Sequence, residues 1–420
     1  MNAESKKIQN TYLLLTLLST LATSFIWGIN TLFLLDAGLS NFEAFAANAA
    51  FTLGQVIFEV PTGIVADTWG RRTSFLLGAV TLLISTLLYL LMWQIQAPFW
   101  QWAGASILLG LGFTFFSGAT EAWLVDALKF TGYKGDMDGV FAKGQITGGV
   151  AMLTGSIAGG VVAQLSNLGV PFLLRAGVLG ATLVAAALFM KDLGFEPEKN
   201  VKAVRQVKNL FNASIDQGLR RSPVRWLMLA APFSMGAGIY AFYAMQPYLL
   251  ELYGDPEAYS VAGLAAAVVA AAQIAGGLLV EKVRQMFKYR TSILITGVVA
   301  SVIVLSLIGL LNNFWVVVGL LVVWAMIFTL TMPVRQAYLN SIIPSKQRAT
   351  VLSFDALMSS SGGVIAQPAL GRAADVYSYG ASYLLAGAVQ LGALPFLVFA
   401  KRERTEADKI PKIDKRVKKS

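Results

Sequence analysis

The chain has 420 residues, of which 56% are hydrophobic and only 13% are charged, and its formal net charge is +10. Soluble globular domains carry about 25% charged residues, so this composition excludes an ordinary soluble protein. Cysteine and histidine are both absent. Their absence excludes disulfides, Cys/His metal sites, His-based catalytic triads and His-based proton relays.

Apolar runs long enough to cross a bilayer follow one another along the whole chain. A helix needs roughly 20 such residues to cross the hydrocarbon core. The first run is too long for a removed signal peptide and has no cleavage site of small residues. No nucleophile–base pair or metal-ligand set appears, so we expect neither an enzyme nor a bound cofactor. We predict twelve spans, at residues 11–34, 42–66, 73–93, 99–127, 139–165, 171–190, 225–250, 258–281, 291–311, 313–339, 348–372 and 380–400.

The basic residues lie mainly on one side of these spans. With the N-terminus in the cytoplasm, the cytoplasmic segments contain the basic loops at 71–72 and 191–225 and the tail from residue 401. The opposite side has only Arg175 and Arg372, both predicted near helix ends. This asymmetry is typical of a multi-pass protein of the cell (inner or plasma) membrane with both termini in the cytoplasm. The expected partner is therefore the lipid bilayer, and nucleic acid is not expected.

A polar linker divides the chain into two similar halves. Residues 192–224 separate an N-terminal six-helix half (1–191) from a C-terminal six-helix half (225–400), and residues 401–420 form a basic cytoplasmic tail. The linker is either an amphipathic helix on the inner leaflet or a partly ordered connection. GRRTSFLLGAV follows the second span and KYRTSILITGVV follows the eighth. Such repeats are typical of transporters that bind their solute near the bilayer midplane.

The segment GIVADTWGRR (63–72) resembles the signature loop of the major facilitator superfamily, and it lies between spans two and three as in that family. The family's pattern is matched at Gly63, Asp67, Gly70, Arg71 and Arg72. The resemblance implies an all-α membrane protein of twelve transmembrane helices, with two pseudo-symmetric halves that work by alternating access. GSIAGG (155–160) also resembles the antiporter motif of the fifth helix, with Ser156 in place of proline. The fourth span lacks the arginine of many proton–drug antiporters.

The resemblance also implies a conformational latch at this loop. In the family, the loop aspartate caps the N-terminus of the eleventh helix, and the loop arginine pairs with an acid of the fourth helix, here Asp126. The alternative is ordinary surface pairing in a solvated loop. The predicted latch consists of Gly63, Asp67, Gly70, Arg71, Arg72 and Asp126.

Charged residues of spans four, five, ten and eleven are predicted at similar depth. A Glu121–Arg335 pair or a Lys143–Asp355 pair would join the two halves as a gate. An Arg335–Asp355 pair within one half would serve assembly alone. Proton coupling needs a carboxylate that is sheltered from water, and the candidates are Glu59, Glu121 and Asp355. Glu59 has the alternative of local bonding around Pro61.

Aromatic and amide residues at mid-depth predict a solute cavity. The candidates are Asn30, Gln55, Tyr240, Tyr243, Gln273 and Trp324, with Trp27 as a further one. Helix packing is the alternative role of each aromatic ring. Such a lining suits small amphipathic or sugar-like solutes, whereas a dianion usually requires clustered arginines.

We therefore expect a monomeric, proton-coupled exporter of small amphipathic compounds. One alternative is a proton symporter or a uniporter that imports a sugar or organic acid. The alternative of another class is a non-transporting membrane receptor or lipid-handling protein on the same scaffold.

Overall fold

The computed structural model describes residues 3–197, 219–344 and 348–411, without the side chains of residues 349 and 350. Within these ranges the chain is almost entirely α-helical, and its only extended pairing is an isolated bridge between Tyr289 and Lys409. The helices are α1 (Ala3–Trp27), α2 (Asn30–Asp36), α3 (Asn41–Trp69), α4 (Arg71–Gln94), α5 (Phe99–Phe116), α6 (Ala119–Phe130), α7 (Met137–Leu165), α8 (Gly169–Phe189), α9 (Ser222–Tyr253), α10 (Tyr259–Arg284), α11 (Arg290–Leu310), α12 (Phe314–Ile342), α13 (Arg348–Val376), α14 (Tyr379–Leu391) and α15 (Leu394–Arg402).

The helices agree with the predicted membrane spans. Within the described ranges, eleven stretches, each one helix or two consecutive helices, are long and apolar enough to cross a membrane. The remaining predicted span coincides with α13, which has 29 residues but also carries Asp355, Arg372 and Asp375. The prediction of an all-α transmembrane fold is confirmed.

Three predicted spans consist of two helices each. The first breaks at residues 28–29, the fourth at 117–118 and the twelfth at 392–393. Non-helical backbone at membrane depth is tolerated where it is buried in protein or lines a cavity. The first break directly precedes Asn30, one of the predicted cavity residues, so the break places a polar side chain in the interior.

The described residues form two compact units. The first unit combines the described residues of Met1–Val207 with Phe242–Ala270 and Gln367–Val376. The second combines the described residues of Lys208–Ala241, Ala271–Ala366 and Tyr377–Ser420. These units differ from the two sequence halves, which remain a prediction, because α9, α10 and α13 each contribute to both units. The predicted amphipathic linker helix falls on residues 198–218, outside the described residues.

Stacked aromatic rings hold α2, α4, α5 and α8 together in the first unit. The Phe33 and Phe172 ring centroids are 3.9 Å apart, and the Tyr89 and Trp102 centroids are 5.1 Å apart. All four side chains are buried. Offset and edge-to-face contacts of this kind stabilise a core beyond simple area burial. The cluster fixes the rotation of α8, and Arg175 follows Phe172 by one helical turn.

Close backbone contact joins α7 to α10 in the same unit. A Cβ added at Gly160 would lie 2.8 Å from the Gly263 Cα, a separation that Cβ atoms almost never have. Small residues of this kind allow membrane helices to approach closely. The glycines of the GSIAGG segment therefore have a packing function in the first unit.

Candidate functional site

A cavity of about 280 Å³, which we call cavity A, lies within the first unit. It contains four of the residues predicted from the sequence: Trp27, Asn30, Gln55 and Tyr243. The rest of its lining combines four apolar residues with further polar groups from Thr23, Asn48, Tyr89 and Arg175. Ligand cavities typically combine such an apolar wall with a few placed polar groups. The structure thus brings the N-terminal candidates together with one residue of α9.

The other three predicted cavity residues lie elsewhere. Tyr240 is fully buried, and its hydroxyl donates a hydrogen bond to the Ser382 Oγ at 2.5 Å, so it packs inside the second unit. Trp324 lines a separate cavity of about 70 Å³ in the second unit, which we call cavity B. Gln273 is half-buried and lines neither cavity. For Tyr240 the helix-packing alternative therefore describes the structure, because its hydroxyl has a partner within the core.

At the break between α1 and α2, the side chain of Gln246 in α9 forms hydrogen bonds with two backbone groups. The Gln246 Oε1 accepts a hydrogen bond from the Thr31 N–H at 2.8 Å, and the Gln246 Nε2 donates to the Trp27 carbonyl at 3.0 Å. Gln246 is itself buried. Because the broken helix has no intrahelical partners at these positions, this side chain replaces them. Gln246 therefore holds the wall of cavity A in place, and nothing in its local sequence predicted that role.

Arg175 is buried at cavity A. It is the seventh residue of α8, only 1% of it is exposed, and it is among the cavity's lining residues. The Nε donates to the Thr86 Oγ1 at 3.0 Å, and the Nη1 donates to the Ala22 carbonyl at 3.4 Å. The Nη2 has no hydrogen-bond partner. Within the described ranges no carboxylate forms an ion pair with Arg175.

Arg175 was predicted near a helix end, and the structure places it seventh among the 21 residues of α8, with its side chain buried. A charged side chain inside a membrane span is unfavourable by several kcal/mol and generally faces the protein interior or a cavity. Arg175 interrupts the apolar run VPFLLRAGVLG, and this interruption was the available signal.

Two asparagines form a pair at the wall of cavity A. The Asn30 Nδ2 donates to the Asn48 Oδ1 at 2.9 Å. Asn48 is 4% exposed, and its own Nδ2 is a buried donor without a partner. Asn48 was not among the predicted residues. Its neighbours in the sequence are alanines, which gave no sign that one amide there would be buried and polar.

Arg71 lies between Asp126, its predicted partner, and Asp67, the loop aspartate of the predicted latch. The Arg71 Nη1 is 2.5 Å from the Asp67 Oδ1, and the Arg71 Nε is 4.0 Å from the Asp126 Oδ2. The side chains are 21%, 40% and 34% exposed, respectively. Ion pairs with this much exposure contribute little to stability. The predicted cap of Asp67 on the N-terminus of the eleventh span stays a prediction.

Asp192 caps α4 at the signature loop. Its Oδ1 accepts a hydrogen bond from the Arg72 N–H at 2.8 Å, and the Arg72 Nη2 donates to the Ala187 carbonyl at 2.9 Å. Gly70 has φ +107°, and a Cβ there would overlap the Asp192 carboxylate. Gly63, the other glycine of the predicted latch, lies inside α3 with no described atom within 4 Å of an added Cβ. Of the two glycines, Gly70 is the one required by the turn.

The second repeat has an equivalent cap. The Asp408 Oδ1 accepts a hydrogen bond from the Thr291 N–H at 2.8 Å, and the Arg290 Nη1 donates to the Ala407 carbonyl at 2.8 Å. Arg72 and Thr291 are each the second residue of their helix, α4 and α11. Asp408 is 1% exposed. The segment predicted as the start of a basic tail is therefore docked on the second unit as far as Ile410, whose N–H donates to the Lys288 carbonyl.

A third aspartate, Asp375, caps the N-terminus of α3, the end of that helix away from the signature loop. The two Asp375 carboxylate oxygens accept hydrogen bonds from the Asn41 and Phe42 N–H groups at 2.9 and 2.8 Å. The negative carboxylate also complements the positive end of the helix dipole. Asp375 lies in the last turn of α13, so it connects α13 to the start of α3 within the first unit.

Arg335 and Asp355 form a buried ion pair in the second unit. Two guanidinium nitrogens of Arg335 contact the two Asp355 oxygens at 2.7 and 2.5 Å, and the Arg335 Nη2 also donates to the Leu227 carbonyl at 3.2 Å. The side chains are 14% and 9% exposed, and Arg335 lines cavity B. This pair within one half was predicted as the alternative to the two gate pairs that would join the halves.

The other predicted gate and coupling residues are exposed. Glu121 and Lys143 are exposed, and neither forms an ion pair within the described ranges. The Glu59 carboxylate, in α3, accepts a hydrogen bond at 3.1 Å from the hydroxyl of Ser117, which lies at the break between α5 and α6. Asp355 is thus the most sheltered of the three candidate carboxylates.

Comparisons with known proteins agree with this architecture. The nucleoside transporter NupG superposes with a TM-score of 0.76 at 13% identity, over 96% of this chain and all of NupG. A D-xylose–proton symporter superposes with a TM-score of 0.65 at 15% identity, over 96% of this chain and 99% of the symporter. An uncharacterized MFS-type transporter of Methanocaldococcus jannaschii is 24% identical over 55% of this chain. The chain spans only 57% of that relative's length.

The family assignment rests on the match to the Major Facilitator Superfamily model. That model matches residues 12–300 and, in a second match, residues 258–420. These matches cover nearly the whole chain, including the signature loop and the three helices that Asp192, Asp408 and Asp375 cap. The chain belongs to the Major Facilitator Superfamily and is an integral membrane protein.

Proposed function

We propose that this chain is a proton-coupled secondary transporter that exports small amphipathic compounds from the cytoplasm by alternating access. Cavity A is the observation that carries the proposal. Its aromatic and aliphatic walls suit an apolar body, and its amide and hydroxyl groups suit a few polar atoms. A volume of about 280 Å³ is near the lower limit for ligand pockets, so the solute is small.

Proton coupling is proposed for Asp355. A carboxylate that carries a proton must be sheltered from bulk water, and Asp355 is buried whereas Glu59 and Glu121 are exposed. Protonation of Asp355 would remove one charge of its pair with Arg335. The uncompensated Arg335 would then favour a different arrangement of α12 and α13. The coupling step is therefore the making and breaking of this pair.

Export is supported by the resemblance of the GSIAGG segment to the antiporter motif. Its Gly160 allows α7 to contact α10 closely. The distribution of basic residues supports a location in the cell membrane with cytoplasmic termini. We propose a monomer as the working unit.

Transport by proteoliposomes tests the proposal. Purified protein is reconstituted into vesicles with an acidic lumen and a pH dye inside. Neutral, anionic and cationic amphiphiles and sugars are then added outside. Solute uptake with an accompanying rise of luminal pH supports antiport. Solute and proton movement in the same direction identifies a symporter instead, and the absence of flux with the whole panel favours a receptor and overturns the proposal.

A further inference from the structure

We infer that cavity A binds the carboxylate of a small organic acid with an apolar body, and that Arg175 and Asn48 are the residues that bind it. The inference rests on the proposed function and names the chemical class of its solute.

The first support is the uncompensated charge of Arg175. The guanidinium is always charged in proteins and is 1% exposed here, with hydrogen bonds to one hydroxyl and one carbonyl. Burying an ion without a counter-charge is strongly unfavourable. Among the residues that the structure describes, none that lines cavity A is acidic. The charge that balances Arg175 is therefore expected to come with a ligand.

The second support is a pair of unused donors. The Arg175 Nη2 and the Asn48 Nδ2 are both buried without a hydrogen-bond partner, and both residues line cavity A. A buried donor without an acceptor costs the desolvation of that group. Two donors on one cavity match a group with two acceptor oxygens. Asn30 orients the Asn48 amide through the hydrogen bond to its Oδ1.

The rest of the lining determines what else the ligand contains. Ile26, Phe51, Leu109 and Phe113 supply an apolar wall, so the body of the ligand is apolar. The Phe113 ring centroid is 5.9 Å from the Arg175 guanidinium carbon, which places the apolar wall beside the charge. Of the described residues that line cavity A, Arg175 alone is charged, and a single cation suits one negative charge better than two.

A purely structural role for Arg175 makes a different prediction. Its two hydrogen bonds connect α8 with Thr86 of α4 and Ala22 of α1. If these connections were its whole function, replacing Arg175 would lower stability and weaken all ligands alike. If Arg175 binds an anion, its replacement should instead remove the preference for an acid over its uncharged analogue.

Ligand binding to the purified full chain tests the inference. The probes are 3-phenylpropionate and its neutral amide, 3-phenylpropionamide, and binding is measured by calorimetry without any ion gradient. We expect wild-type protein to bind the acid about tenfold to a hundredfold more tightly than the amide, the ratio expected for a hydrogen bond to a charged group. Arg175→Gln should remove this preference. Arg372→Gln, which removes an exposed charge outside cavity A, should keep it.

A second variant covers the case in which Arg175→Gln does not fold. Asn48→Asp keeps the shape of the side chain but adds a negative charge, so the acid should bind at least tenfold more weakly while the amide is little affected. Equal binding of acid and amide by wild-type protein, or binding of neither, would overturn the inference. So would an acid preference that persists in the folded variants. Tighter binding of palmitate than of 3-phenylpropionate would assign the site to a lipid and overturn the small-solute part.

Measurements of binding and of transport together distinguish the proposed anion site from the proposed transport function. Acid-selective binding without any flux in proteoliposomes supports the anion site and contradicts the transport proposal. Proton-coupled flux of neutral amphiphiles, with no acid preference in binding, supports transport and contradicts the anion site.

Discussion

The carboxylate of Asp192 accepts a hydrogen bond from the backbone N–H of Arg72 at 2.8 Å, across 120 residues of sequence. The contact closes the signature loop against the end of the N-terminal helices. It also explains the glycine at position 70, because the Asp192 carboxylate fills the space that any other side chain would need. The loop is thus held by a residue outside the family's signature as well as by the charges within it.

Replacing the two loop glycines should have opposite effects. Gly70→Ala forces a non-glycine residue into a positive-φ conformation and displaces Asp192, at a cost of about 1–3 kcal/mol. Gly63→Ala, inside α3 and free of contacts within the described residues, should be neutral or stabilising by up to about 1 kcal/mol. Melting temperatures in detergent measure both. A Gly70→Ala protein as stable as wild type would show that the turn does not need glycine.

Removing the aspartate caps should lower stability in both repeats. Asp192→Ala and Asp408→Ala each leave a helix N–H without its acceptor, and the loss of a cap typically costs about 0.5–2 kcal/mol. Asn at either position retains an oxygen acceptor and should recover part of the loss. Because the two caps lie in different units, the effects of the double variant should add. The readout is again the melting temperature, and no change in either Ala variant would contradict the capping role.

Removing one partner of the Arg335–Asp355 pair should destabilise the protein strongly. Asp355→Asn or Arg335→Gln leaves one buried charge unpaired, which typically costs about 3–5 kcal/mol. The double variant should lose clearly less than the sum of the two. Lys143→Gln serves as the matched control, because Lys143 is exposed. Additive losses in the double variant would mean that the pair contributes no coupling energy.

The Arg335–Asp355 pair also has a predicted effect on the transport of protons and solute. If Asp355 carries the proton, Asp355→Asn should exchange solute across the membrane in counterflow but no longer move protons. This comparison uses only protein that remains folded in detergent. Proton movement at the wild-type rate in that variant would assign coupling to another carboxylate.

The membrane architecture was predictable because it depends on properties that each segment carries by itself. A run of apolar residues as long as a bilayer is thick indicates a span wherever it occurs. The positions of Gly70 and Arg71 within GIVADTWGRR indicate the signature loop. The helix breaks before Asn30 and at Ser117 were missed because apolar composition does not distinguish one helix from two in succession.

The contacts that build the sites were harder to predict because they join distant positions. Asp192, Asp375 and Asp408 each cap a helix far away in the sequence, and an isolated aspartate near a helix end does not indicate its partner. Tyr240 and Tyr243 both suited a cavity, but Tyr240 finds its hydrogen-bond partner in the core. Arg175 is the instructive case, because its unfavourable position in an apolar run was visible, whereas the hydroxyl and carbonyl that contact it were not.

Protection of a single cysteine in cavity A tests most directly whether the transported solute binds there. The chain has no cysteine, so Gln55→Cys introduces the only thiol, and Leu165→Cys, at a position that is 81% exposed, serves as the control. With a solute that the Gln55→Cys protein transports, present at ten times its Kd, mass action predicts that alkylation at position 55 slows about tenfold. Alkylation at position 165 should be unaffected. An unchanged rate at position 55 with every transported solute would contradict the account.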